Sequence, residues 1–169
     1  MDAMEMVLAT LGTVWRAVSA TPQLFVPALV IMILLIVVNA PIPGRGPRSA
    51  KRDPWRGFKY APRAAVLHRA GGRCEGSAFL AWGRCDEPAT DVDYVYPWSK
   101  GGPTVTSNGQ ALCRGHNRNK SAWTPPWWYV VTLERRRRSY FPAGIPVEVR
   151  AVMTDEERAA RERRRPATR

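Results

Sequence analysis

The sequence predicts an α+β protein: a small strand–turn–strand–helix domain stapled by a metal site and preceded by one transmembrane helix. Three observations carry this expectation. The window 17–44 holds no charged residue, and 24–38 is apolar except for Pro27. Three cysteines and a histidine fall in two pairs, Cys74 with Cys85 and Cys113 with His116. Between the pairs an apolar stretch runs into Gly101-Gly102, and a second short run leads to Cys113.

The elements follow in order. Residues 1–21 read as a short extracytoplasmic N-terminus, and 22–40 as the transmembrane helix. Nineteen residues at 1.5 Å each rise about 28 Å, close to the hydrocarbon thickness of a bilayer. A cleaved signal peptide is the competing reading, with 38–40 as its small-residue site. It is disfavoured because the leader carries Asp2 and Glu5 against Arg16 alone, where a signal peptide has a basic leader. Residues 41–57, rich in Pro, Gly and Arg, read as a basic linker. Pro62–Ala70 reads as a short helix stopped by Gly71-Gly72. Residues 58–125 form the compact domain, and 126–169 a basic extension. Within that extension Trp127–Val131 reads as a strand, with another short one around Val147–Val149. Thr154-Asp155-Glu156-Glu157 opens a charged helix with a capping box, ending near Arg165-Pro166.

The chain of 169 residues carries 26 Lys+Arg against 14 Asp+Glu, a net charge of +12. Residues 41–169 hold 25 of the basic and 12 of the acidic groups. This balance fits a polyanionic partner, nucleic acid or an anionic membrane surface, and argues against a neutral metabolic enzyme. The basic residues after position 40 place that side in the cytoplasm, giving a single-pass protein of the cell membrane.

An odd number of cysteines leaves one thiol over in any closed disulfide framework, so a metal site in a reducing compartment is the better reading. Cys113-x2-His116 sets two ligands on one tight turn, and Cys74 and Cys85 can close a tetrahedron. Three thiolates and an imidazole suit a structural Zn2+, whose binding energy becomes folding energy.

Between the ligand pairs lies Asp93-Tyr94-Val95-Tyr96-Pro97-Trp98-Ser99-Lys100-Gly101-Gly102, then Asn108, then Leu112-Cys113-Arg114-Gly115-His116-Asn117-Arg118-Asn119-Lys120. This reads as a strand, a Gly-Gly turn, a second short strand or loop, and a helix. Asp93 and Asn117 can meet across a strand–helix cleft, and both offer the oxygen donors that Mg2+ prefers. Lys100, Arg114, Arg118 and Lys120 surround them with phosphate-neutralising charge.

These residues resemble the HNH endonucleases, the ββα-metal fold in its zinc-supported form. The likeness covers roughly residues 62–123. It implies a metal-dependent DNA endonuclease in which Asp93 and Asn117 hold a catalytic Mg2+ or Mn2+. It makes Asn108 the asparagine that supports the base, and Cys74, Cys85, Cys113 and His116 the zinc ligands. His116 stands where a fourth cysteine is common. The partners implied are DNA and the membrane, with DNA crossing the membrane as one possible target.

Tyr94 departs from that pattern, because the family's general-base histidine belongs at its position. A phenol of pKa about 10 must drop by roughly 2.5 units to be half ionised at about pH 7.5. Tyr94 is therefore either a phenolate base or the mark of a catalytically degenerate, membrane-tethered DNA-binding module. Tyr96, two residues on, is expected on the same strand face. Trp123, Trp127, Trp128 and Tyr129 read as core packing ahead of a nucleic-acid surface, and Arg135–Arg138 as a solvated run available to phosphate.

Overall fold

The computed structural model describes residues 3–78 and 83–163. The chain divides into two compact units, Met1–Ala40 and Pro41–Arg169. The first holds α1 (Ala3–Ala20) and α2 (Pro22–Asn39). Pro22 opens α2 at a position where its missing N–H costs nothing. Pro41 closes it by forcing Ala40 into the extended region. The apolar side chains of α2 from Leu24 to Val38 are exposed on every face. Among the described residues no helix is long and apolar enough to cross a membrane. The expected span over 22–40 is thus not met among the described residues, where the helix is the 18 residues of α2.

The second unit is built on α3 (Tyr60–Arg69), β1 (Asp91–Tyr94), β2 (Gly109–Leu112), α4 (Arg114–Lys120), α5 (Trp127–Arg137) and α6 (Asp155–Arg163). β1 and β2 pair antiparallel, with Asp93 opposite Gln110 and Tyr94 opposite Gly109. The helix expected at 62–70 is α3, and the strand, Gly-Gly turn, strand and helix appear in the expected order. The α+β expectation holds for this unit.

Three buried clusters hold it. Phe58 and Val66 pack with Tyr94 and Ala111 beneath α3. Val130 and Leu133 of α5 pack with Val95, Tyr96 and Val149. Cys74 and Cys85 pack with Leu112. Tyr94 and Tyr96 therefore enter different clusters rather than sharing a face, because β1 ends at Tyr94 and the chain turns at Pro97.

The region 126–149 departs from expectation. Trp127–Val131 is the first half of α5, not a strand. Its β-branched and aromatic residues imitate a strand, but Val130, Leu133 and Arg137 recur at three- and four-residue spacing, and this helical face is buried. Residues 147–149 form no strand, and the Val149 N–H donates instead to the Glu134 carboxylate at 2.7 Å.

Residues 41–57, expected as a linker, pack into the unit. Arg45 binds Glu134 at 2.6 Å and Glu148 at 3.1 Å. Buried Asp53 accepts from the Thr104 N–H and receives both contacts of Arg161 from α6, at 2.9 and 2.7 Å. Burial pushes the Asp53 carboxyl up, but Arg161 and the N–H groups of Thr104 and Trp55 hold it below its ordinary value. The capping box of α6 forms as expected, Thr154 and Glu157 bonding each other's backbone N–H at 3.1 and 2.9 Å. The expected end near Arg165-Pro166 lies outside the described residues.

Arg137 is the largest departure within the Arg135–Arg138 run. Its side chain is fully buried against the equally buried Glu75 at 2.8 Å. Glu75 also accepts from the Ala111 N–H at 2.8 Å and the Tyr140 hydroxyl at 2.9 Å. Burial raises the Glu75 carboxyl, but Arg137 and the Ala111 N–H win and hold it below its ordinary value. A depressed carboxylate contributes stability above its unfolded pKa, about 4.3, and that contribution drains away as pH falls below it. Glu75→Gln strands Arg137 as a buried uncompensated charge and is expected to cost about 3–5 kcal/mol in urea unfolding at pH 7. The difference from wild type is expected to shrink as unfolding is repeated toward pH 3.

Candidate metal centre and active-site cleft

Cys74, Cys85, Cys113 and His116 converge, with one ligand atom of each lying within 4.8 Å of the others. The His116 Nδ1 is 3.2 Å from the Cys113 Sγ and 3.6 Å from the Cys74 Sγ. A tetrahedron with Zn–S of about 2.3 Å and Zn–N of about 2.0 Å puts its donors about 3.5–3.8 Å apart. The four residues fit a zinc ion.

The surroundings favour the same assignment. The other ring nitrogen of His116, Nε2, lies 3.0 Å from the Ser77 carbonyl, the outer partner that fixes a ligating imidazole's tautomer. The Gly76 N–H donates to Cys74 Sγ and the His116 N–H to Cys113 Sγ. Burial pushes the Cys74 thiol up to about 11. Burial also raises Cys113, but the His116 backbone and ring and the Cys74 thiol bring it down to about 7. Gly76 leaves room for the ring, since a Cβ there would lie 2.6 Å from it.

The second centre sits where β1 meets α4. Lys120 reaches from the last turn of α4 to Asp93 Oδ2 at 3.0 Å and also bonds the Tyr94 carbonyl. It is 8% exposed, so it faces Asp93 rather than a phosphate on the surface. Burial lowers the Lys120 ammonium against the opposing pull of Asp93. Asn117 is half-buried one turn earlier on the same helix face. Arg114 and Arg118 are exposed on α4, and Lys100 is exposed with its Nζ on the Thr124 hydroxyl at 2.9 Å. The partner that Asp93 meets here is Lys120, while Asn117 offers a carboxamide one turn earlier on α4.

Asn108 is fully buried and braces the Gly-Gly loop. Its Oδ1 accepts from the Tyr96 N–H at 2.8 Å, and its Nδ2 donates to the Tyr96 and Pro103 carbonyls at 3.1 and 3.0 Å. The loop needs both glycines: Gly101 has φ +88°, and a Cβ at Gly102 would strike the Tyr96 carbonyl.

Tyr94 is 7% exposed, beneath residues 53–58. Its hydroxyl accepts from the Gly57 N–H at 2.5 Å and lies 2.9 Å from the Thr104 hydroxyl. Thr104 gives its own proton to the Trp55 carbonyl, so the phenol is the donor in that pair. The phenolic proton is thus held inside the fold.

Sequence reasoning missed Glu75, Arg137, Asp53 and Arg161. Glu75 and Asp53 are scattered acids and Arg137 and Arg161 sit within charged runs, so only the buried pairing marks them. Trp123, Trp128 and Tyr129 pack against one another with ring centroids 5.4–6.3 Å apart. Burial carries the Tyr129 hydroxyl up to about 12, and it donates to Gln110 at 2.9 Å.

Purified protein is expected to carry about one zinc per chain and to lose its native circular dichroism with a strong chelator. Gly76→Ala is expected to weaken zinc binding by about tenfold or more in a competitive chelator titration, by displacing the His116 ring.

Residues 78–122 match the family model described as HNH endonuclease. Neither the curated proteins nor the solved structures include a match to the chain. The matched segment runs through β1, β2 and α4 and includes Cys85, Cys113 and His116. An HNH domain suggests a nuclease or DNA-binding function, with DNA as substrate or partner.

Proposed function

We propose that this protein is a divalent-metal-dependent DNA endonuclease of the HNH type, attached to the cytoplasmic face of the cell membrane. The observation that carries the reading is the junction of Asp93 on β1 with α4 beside the Cys3His cluster. Asp93 and Asn117 would hold Mg2+ or Mn2+, which when bound supplies Lewis acidity at the scissile phosphate. Arg114 and Arg118 neutralise the flanking phosphates. Lys120 holds the Asp93 carboxylate in place, and Asn108 fixes the loop between the strands.

Two observations favour a second reading, the degenerate DNA-binding module. The Tyr94 proton is committed to Thr104, and a lysine already neutralises Asp93. Plasmid cleavage by the full chain with Mg2+ or Mn2+ separates the two. Under the enzyme reading the wild type cuts and Asp93→Ala does not. Because its hydroxyl is a buried donor, Tyr94→Phe is expected to keep cleavage within about tenfold, about 1.4 kcal/mol of barrier. Loss of cleavage in Tyr94→Phe without loss of folding would restore the phenolate base. A wild type that binds DNA but never cuts it would establish the module.

Membrane attachment is supported by α2, which is apolar all round with its large side chains exposed. A helix with no polar face has nothing to gain from water and favours an apolar surface such as lipid. The exposed cations that follow in sequence, Arg48, Lys51 and Arg52, suit anionic headgroups. The full chain is expected to float with phosphatidylserine vesicles, and a chain lacking residues 1–40 to remain at the bottom of the gradient.

A further inference from the structure

A second surface beside the cleft is not explained by phosphodiester chemistry. Residues 54–57, 59–62 and Thr104 line a groove of about 460 Å³, within the size range of ligand clefts. Trp55 and Tyr60 supply its aromatic lining, and Arg56 and Lys59 its charge, with no acidic residue among the lining groups. Tyr60 is unusual twice over. Its side chain is 89% exposed, and its backbone has φ +49°, a left-handed conformation that a bulky residue rarely adopts. Strain of this kind persists where the surroundings hold a residue for a purpose other than packing.

The groove shares its wall with the active-site motif. Gly57 and Thr104 line it, and these residues supply the two hydrogen-bonding partners of the Tyr94 hydroxyl, next in sequence to Asp93. Arg56, which lines the groove, sits 5.0 Å from the Trp98 ring, and Arg52 sits 5.2 Å from the same ring.

Resting on the DNA reading above, we propose that this groove binds one unpaired nucleotide of a DNA strand. Its base stacks on Tyr60, and its phosphates lie on Arg56 and Lys59. The substrate class is then single-stranded or unwound DNA rather than intact duplex. Aromatic faces with interleaved cations are how proteins hold unstacked bases. A lipid surface shares the charge requirement, but it is broad and presents no isolated planar group to a groove of this size.

The test is fluorescence anisotropy with the full chain, without added divalent metal. It compares a labelled single strand with a duplex of the same sequence. The single strand is expected to bind about tenfold more tightly. Tyr60→Ala is expected to lower single-strand affinity by about tenfold and to leave duplex affinity unchanged. Tyr60→Gly relieves the left-handed backbone, so it is expected to raise the melting temperature while losing the same affinity. A merely structural tyrosine would not give that opposition. Equal affinity for the two DNA forms, or a Tyr60→Ala chain that binds single strands like wild type, overturns the groove and leaves the DNA reading standing. Binding of neither form overturns both. A Tyr60→Ala defect confined to phosphatidylserine vesicles would assign the groove to lipid and overturn the proposal.

Discussion

Glu75 lies between a cysteine of the metal centre and a glycine that must stay a glycine, and its carboxylate is sealed from water. Removing a carboxylate from water costs several kcal/mol, so everything around it is arranged to compensate. Arg137 comes from α5, Tyr140 from the turn after it, and the Ala111 N–H from β2. Arg137 also donates to the Gly109 carbonyl at the start of β2. One buried charge therefore ties the Cys74 loop, the second strand and α5 together. The metal centre and the sheet cannot shift relative to each other without exposing it.

The cleft inherits its geometry from that tie. β2 carries β1 in register, β1 carries Asp93, and Cys113 caps α4 by accepting the His116 N–H. α4 begins in the metal centre and ends in the cleft, where Lys120 meets Asp93. A helix of seven residues has little stability of its own. The Cys113 cap at its first turn and an ion pair at its last supply what its length does not.

The positive charge has two uses. Arg45, Arg137, Arg161 and Lys120 are bound to carboxylates and brace the fold. Arg114 and Arg118 are exposed beside Asn117, Arg56 is exposed at the groove, and Arg52 is exposed on the same Trp98 ring as Arg56. Net charge alone overstates the surface open to a polyanion, because part of it is internal. Burial also separates the two tyrosines of β1 and its following turn. Tyr94 packs under Phe58 with ring centroids 4.8 Å apart, while Tyr96 packs under α5.

Local spacing was enough for much of this protein. Two ligand pairs, a Gly-Gly turn, the capping residues of α6 and the run 93–120 act through neighbours a few residues away, so their pattern survives in a linear reading. The two-strand sheet, α3 and the Cys3His cluster were legible for that reason. Long-range pairing was not legible. Asp53 meets Arg161 across 108 residues and Glu75 meets Arg137 across 62. Such contacts turned an expected linker into part of the domain and an expected phosphate-binding arginine into a core residue. The helix at 127–137 was hidden by strand-like composition until burial of its Val130–Leu133–Arg137 face decided the matter. Tyr94 shows the division most directly. The family resemblance implies an imidazole where the sequence has a phenol, but only the fold decided that its proton goes to Thr104, because residues 53–58 close over it.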